Sequence, residues 1–167
     1  MEKKAYFVVG KPNPGDDEKK FSSRMKRDLG IVSGIIGNLG YKIENVKEDE
    51  ILDKIKNDYS GNLMLYYRGH GNGKEFGENN IQEILNVMDY SPAKKDILLD
   101  CCGGPEVLDV KMPRKSKLIT AINEIGMDAS LAMTIWDWVI ARKNDFFDLS
   151  SESFADMKRN YFRVLRG

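Results

Sequence analysis

The sequence has one histidine, His70, and two cysteines, Cys101 and Cys102, which are neighbours. Adjacent cysteines are poorly placed to staple a fold, so no disulfide framework is available. A four-ligand Cys/His zinc site does not assemble from these three residues either, and no metal or other cofactor is expected. Charge of one sign is not in excess, because 26 Lys plus Arg balance 26 Asp plus Glu. A protein that lives on phosphate contacts carries a basic surplus, so nucleic acid is not an expected partner. Apolar runs fall far short of the ~20 residues that span a membrane. The first ten residues, MEKKAYFVVG, hold too short an apolar stretch for a signal peptide. A cytoplasmic protein with no membrane partner is the expectation. Several reaction motifs are missing as well. There is no GxSxG elbow, no GxxxxGK[ST] phosphate loop and no CxxC. A Cys-x5-Arg phosphatase loop fails because Leu108 and Val107 stand where the arginine would.

What remains is an ordinary globular composition, 41% hydrophobic and 31% charged over 167 residues, which suits one domain over residues 1–167. AYFVV (5–9) reads as a strand followed by a turn-rich loop. From Asp17 to Leu39, Phe21, Met25, Leu29, Val32, Ile36 and Leu39 recur at helical spacing. Gly30, Gly34 and Gly37 weaken that helix unless they allow close packing on a sheet, and Gly40 ends it. YKIENV (41–46) reads as a strand, EDEILDKIKND (48–58) as a short helix, and NLMLYYR (62–68) as a strand buried on both faces. A glycine-rich loop then precedes a helix over 80–90, capped by Asn79 or Asn80. DILLD (96–100) is a further buried strand. After it the sequence predicts a loop, a helix over 116–126 with Ser116 as its cap, a strand over 129–136 and a last helix over 150–165. Strands alternating with helices predict an α/β fold, a three-layer α/β/α sandwich with a mostly parallel central sheet.

Ligands and catalysis in such sheets sit at the carboxyl ends of the strands. His70 follows strand 62–68 within Gly69-His70-Gly71, and Cys101-Cys102-Gly103-Gly104 follows strand 96–100. A cysteine nucleophile needs an imidazole as base and acid, and donors for the developing oxyanion. The backbone N–H groups of Gly71 and Cys102 are candidates for those donors. The competing reading is that a strand-end cysteine is inert packing, a common fate for this residue type. One of the two cysteines takes that role, and Cys101 continues the strand pattern inward.

These segments resemble a known group. LMLYYRGHG (63–71) is similar to the strand ending in His-Gly of the caspase-like peptidases, and ILLDCCGG (97–104) to their strand ending in the nucleophile. Asp100-Cys101-Cys102 corresponds to the Asp-x-Cys of metacaspases and paracaspases. NLGYKIENVKEDEI (38–51) resembles the caspase stretch that closes the first helix and opens the second strand. The sequence departs from metacaspases in having Gly103-Gly104-Pro105 after the nucleophile position, and Arg68 stands where small or polar residues usually precede His-Gly. The resemblance implies a cysteine endopeptidase acting on protein or peptide substrates, with Cys102 as nucleophile and His70 as its partner. It also implies an S1 pocket that includes Asp100, and Asp137 in Trp136-Asp137-Trp138, with Arg68 beside them. Two carboxylates there favour Arg or Lys at P1. Asp16, Asp17 or Asp28 would add a third. The alternative S1 set is Arg24 and Arg142, which would serve a caspase-type Asp-specific protease. A catalytically silent caspase-like binding or regulatory module is the other class. No sixth strand is read after the last helix, and a monomer is expected rather than a caspase-style dimer. The loop 103–116 is expected to be exposed and is a candidate for self-processing.

Overall fold

A computed structural model of the chain describes residues 1–124, 131 and 162–167. Its elements run β1 (Lys3–Val9), α1 (Glu18–Asn38), β2 (Lys42–Val46), α2 (Ile51–Lys56), β3 (Asn62–Arg68) and three two-residue strands, β4 (Gly71–Asn72), β5 (Glu75–Phe76) and β6 (Asn79–Asn80). There follow α3 (Ile81–Met88), β7 (Lys94–Asp100), β8 (Ser116–Ala121) and β9 (Phe162–Arg166). Among the described residues, six strands form the central sheet in the order β2-β1-β3-β7-β8-β9. All neighbours pair in parallel except β8 and β9, which are antiparallel. The short strands β4, β5 and β6 make a separate antiparallel patch directly after His70.

Side chains on a strand alternate between faces, and both faces here are covered. On one face Tyr6, Val8, Leu63, Leu65, Tyr67, Ile97, Leu99 and Cys101 pack with Ile51 and Ile55 of α2 and Ile81, Ile84, Leu85 and Met88 of α3. On the other, Ala5, Phe7, Met64, Tyr66, Leu98 and Ile119 pack with Val32 and Ile36 of α1. This is the expected three-layer arrangement. The chain runs outward from β1 in both directions, to β2 on one side and to β3 on the other. The carboxyl ends of β1 and β3 therefore meet at a switch in strand order, where open α/β sheets form clefts. Among the described residues no helix is long and apolar enough to cross a membrane.

Helix α1 is bounded much as the sequence suggests. Asp17 accepts the Lys20 backbone N–H as its N-cap. At the other end Gly40 has φ +83°. There Gly40 N–H bonds Gly37 C=O and Tyr41 N–H bonds Ile36 C=O, a Schellman closure that needs the left-handed residue. The buried stripe differs from expectation in two places. It runs Phe21, Met25, Asp28, Val32 and Ile36, with Asp28 fully buried, Leu29 at its margin and Leu39 half-buried as the C-cap. Of the two readings of Gly30, Gly34 and Gly37, close packing on the sheet is not found, since a Cβ at any of them meets no atom within 4 Å. With no contact to lose, Gly30→Ala and Gly34→Ala should each stabilise the fold by about 0.5–1 kcal/mol, through helix propensity. Chemical denaturation checks this, and a lowered midpoint for either variant would show a neighbour pressed on that position.

Three expectations past residue 100 need correction. Residues 116–121 are strand β8 instead of the start of a helix, and Ser116 caps nothing; its hydroxyl donates to Pro113 C=O. All six residues of β8 are buried, so the alternation that marks a half-buried strand is absent, and Leu118, Ile122 and a later Gly imitate a helical pattern. The last helix, read to residue 165, cannot extend there, because Phe162–Arg166 is β9. The expectation of a monomer rests on a missing last strand, and β9 removes that ground. Residues 150–161 and most of 129–136 lie outside the described residues. Leu131, the one described residue of that segment, has helical backbone and packs on the α1-side core. The 103–116 loop is exposed, as expected, at Leu108, Asp109, Lys111, Arg114 and Lys115, but it is anchored: Val107 and Val110 are buried, and Lys111 N–H bonds the Gln82 side chain at 2.8 Å.

Candidate active site

Strands β3 and β7 are adjacent, and their register pairs Arg68 with Asp100. His70 and Cys102 each stand two residues beyond that pair, so the topology brings them level at the carboxyl edge. They line one open cleft of about 570 Å³ with Asn13, Gly71, Asn72, Gly103 and Glu124. A second hollow of about 340 Å³ continues from His70, Gly71 and Asn72 past Lys11, Glu48, Glu75 and Glu78. The two loops touch closely. A Cβ on Gly71 would lie 2.5 Å from the Cys102 carbonyl oxygen and 2.6 Å from Cys101 Sγ, so only glycine lets the His70 loop approach the cysteine loop.

Cys101 and Cys102 divide as alternation requires. Cys101 is 4% exposed in the core beneath α2 and α3, and burial, then the Asp100 charge, pushes its thiol pKa well up. Cys102 is half-buried on the cleft. The neighbouring Gly69 and Gly103 N–H groups are engaged elsewhere, Gly69 with Asp100 C=O and Gly103 with Asn123 C=O. The expected donors, Gly71 and Cys102, are on the cleft wall.

His70 is held from several sides. Its carbonyl accepts the Tyr67 hydroxyl at 2.8 Å and the Gly77 N–H at 3.1 Å. Its ring stacks on Phe21, centroids 5.4 Å apart and planes 18° apart. Its Nε2 lies 2.8 Å from Asp16 Oδ2. Asp16 sits in the loop between β1 and α1, and the same oxygen accepts Asn13 N–H at 2.7 Å. The Asn13 N–H, and after it the imidazole, hold the Asp16 carboxyl below its ordinary pKa. No third residue is named for His70 from sequence, and loop position alone does not single out Asp16 from Asp17. Glu48 is also missed. It is buried just past β2, where its carboxylate accepts the Lys11 and Glu78 N–H groups at 3.2 and 3.0 Å and ties the β1 loop to the patch after His70. The signal available for it is its place directly after a strand's carboxyl end.

The expected S1 residues are placed differently from one another. Arg68 and Asp100 are fully buried beneath the cleft edge. Arg68 donates to Asp100 Oδ2 at 2.7 Å and, through Nε and Nη2, to Asp28 Oδ2 at 2.9 and 2.6 Å. Tyr66 donates to the same Asp100 oxygen at 2.6 Å, and Arg27 meets the far Asp28 oxygen at 2.8 Å. Parity explains the cluster, since Tyr66, Arg68 and Asp100 share the α1 face and Asp28 interrupts the α1 stripe there. Burial alone would lower the guanidinium pKa, but Asp100, Tyr66 and Asp28 outweigh it and the net shift is upward. Burial, then Asp100, raises Tyr66. Arg24 is half-buried on α1, one turn before Asp28. Asp137 and Arg142 lie outside the described residues. Among the described residues no group of three or more His, Cys, Asp or Glu side chains could hold a metal ion.

No family model and no curated protein matches the sequence. The structure is similar to that of caspase-1 from Spodoptera frugiperda, at 11% sequence identity and a TM-score of 0.56, over 99% of this chain and 87% of that one. The chain thus has the caspase-like α/β fold, with a mostly parallel six-stranded sheet between helical layers.

Proposed function

We propose that the protein is a cysteine endopeptidase that works through Cys102 and His70. The observation that carries this reading is the register. The only histidine and the half-buried cysteine stand level on adjacent strand ends and line one cleft. In the reaction, the Cys102 thiol gives its proton to His70 and the sulfur adds to the substrate carbonyl carbon. Backbone N–H groups of Gly71 and Cys102 receive the oxyanion. The C–N bond then breaks as the imidazolium returns its proton to the leaving amine. Water, deprotonated by His70, adds to the thioester, and release of the acid restores the thiol.

The substrate preference in this reading is Arg or Lys at P1, on a revised set of residues. Asp100 and Asp28 both spend their charges on the buried Arg68, so these residues make a closed floor rather than a pocket wall. The cleft beside Cys102 carries Glu124, and the adjoining hollow carries Glu48, Glu75 and Glu78. Lys11, the basic side chain of that hollow, pairs with Glu78 at 2.6 Å. The surplus of carboxylates attracts a cation. Asp137 joins Glu124 in this S1 proposal.

Fluorogenic peptides that differ only at P1, assayed with the intact protein and with Cys102→Ala, test the reading. Thiol-dependent cleavage after Arg or Lys is expected. Cleavage after Asp alone would move the specificity to the caspase type. A folded protein with no thiol-dependent cleavage would favour a binding module.

A further inference from the structure

The His70 ring has two neighbours that the reaction outlined above does not use, Phe21 against its face and Asp16 against Nε2. Both belong to the segment that begins α1. Asp17, the next residue, is occupied as the helix cap on Lys20 N–H, so of the two carboxylates only Asp16 meets the imidazole. Asp16 is itself fixed by the Asn13 N–H on the same oxygen. The imidazole is thus clamped on a ring face, on one nitrogen and at its own backbone carbonyl, by four different residues.

We infer that Asp16 is a positioning residue for His70, accepting a hydrogen bond from Nε2–H and so leaving Nδ1 as the ring nitrogen that exchanges a proton with Cys102. The chemistry is that of hydrogen-bond direction. An ionised carboxylate is only an acceptor, so the nitrogen facing it must carry hydrogen. A neutral imidazole with hydrogen on Nε2 has its single basic lone pair on Nδ1. Without the carboxylate, the ring is free to place its proton on either nitrogen and to rotate away. The inference rests on the Cys102/His70 reading and adds the residue that sets the tautomer.

The pair is about one-third exposed, with side-chain exposures of 35% and 34%. Its loss should therefore cost less than the ~10⁴-fold that follows disruption of a buried aspartate partner. For Asp16→Ala a fall in kcat of roughly 10- to 100-fold is expected, with KM within about two-fold. Asp16→Asn keeps an oxygen for both Asn13 N–H and Nε2–H, and should recover part of kcat.

The deciding measurement is the ring ¹⁵N spectrum, which is free of overlap because the chain has a single histidine. The Nε2–H tautomer is expected in the unaltered protein and in Asp16→Asn, with a shift towards mixed tautomers in Asp16→Ala. An Nδ1–H form in the unaltered protein overturns the inference. So does a tautomer ratio or a kcat that Asp16→Ala leaves unchanged. If the unaltered protein shows no Cys102-dependent turnover, the peptidase reading fails. The alkylation rate of Cys102, which needs no substrate, then replaces kcat. A lower rate in Asp16→Ala supports positioning, and an equal rate overturns it.

Discussion

Cys102→Ala is expected to abolish thiol-dependent peptide cleavage, lowering kcat by at least about 10⁴-fold, whereas Cys101→Ala should leave most of it. The two residues are neighbours, so the contrast comes from environment. Cys102 lines the cleft that holds His70, while Cys101 is packed with Tyr67 and Val107 in the core. Only a thiolate is an effective nucleophile, and burial keeps the Cys101 thiol protonated by raising its pKa. Removing the Cys101 sulfur leaves a small cavity and should cost about 1 kcal/mol of stability. Steady-state kinetics with the preferred fluorogenic peptide, together with denaturation curves for both variants, would separate these effects. Activity that survives Cys102→Ala and disappears with Cys101→Ala would reverse the assignment.

Arg68→Met is expected to destabilise the protein by about 3–5 kcal/mol, the usual consequence of stripping the partner from a buried ion pair. Arg68 is the cation between Asp28 and Asp100, and all three side chains have no exposed surface. Methionine fills much of the same volume, so the loss reports the uncompensated carboxylates more than a cavity. Whole domains are stable by only about 5–15 kcal/mol, which makes this a large fraction. The cluster lies two residues below both His70 and Cys102 and joins β3, β7 and α1, so a variant that still folds should also lose activity. Urea denaturation measures the first effect. A change below about 1 kcal/mol would mean that water or a shifted Arg27 neutralises the pair, and the cluster would not be the brace described here.

The residues of the candidate site were legible along the chain, because that reading depends on what a residue is and which strand it follows. A single histidine and one cysteine pair, each directly after a run of buried apolar residues, can be found without coordinates. The strands β3 and β7, the start of α1 at Asp17, its stop at Gly40 and the Asn80 cap of α3 follow from local rules of burial and capping, and all are present. Local rules failed where burial was complete. Ser116–Ala121 has no polar face, so nothing in its pattern separates a central strand from a buried helix, and only pairing with β7 and β9 identifies it. The same limit hid Asp28. Its charge argues for solvent, and Arg68, the cation it shares with Asp100, lies 40 positions away in sequence, so the neutralisation exists only once the sheet and α1 are packed. Asp16 shows the remaining step. In sequence it is one of several acids in a turn, and the crossing of the β1 loop over the end of β3 brings it within 2.8 Å of His70. Residue identity and strand position determined which groups are candidates for chemistry here; which carboxylates face the cleft and which are locked beneath it was decided by packing, because a charge changes its role with the partners that folding places around it.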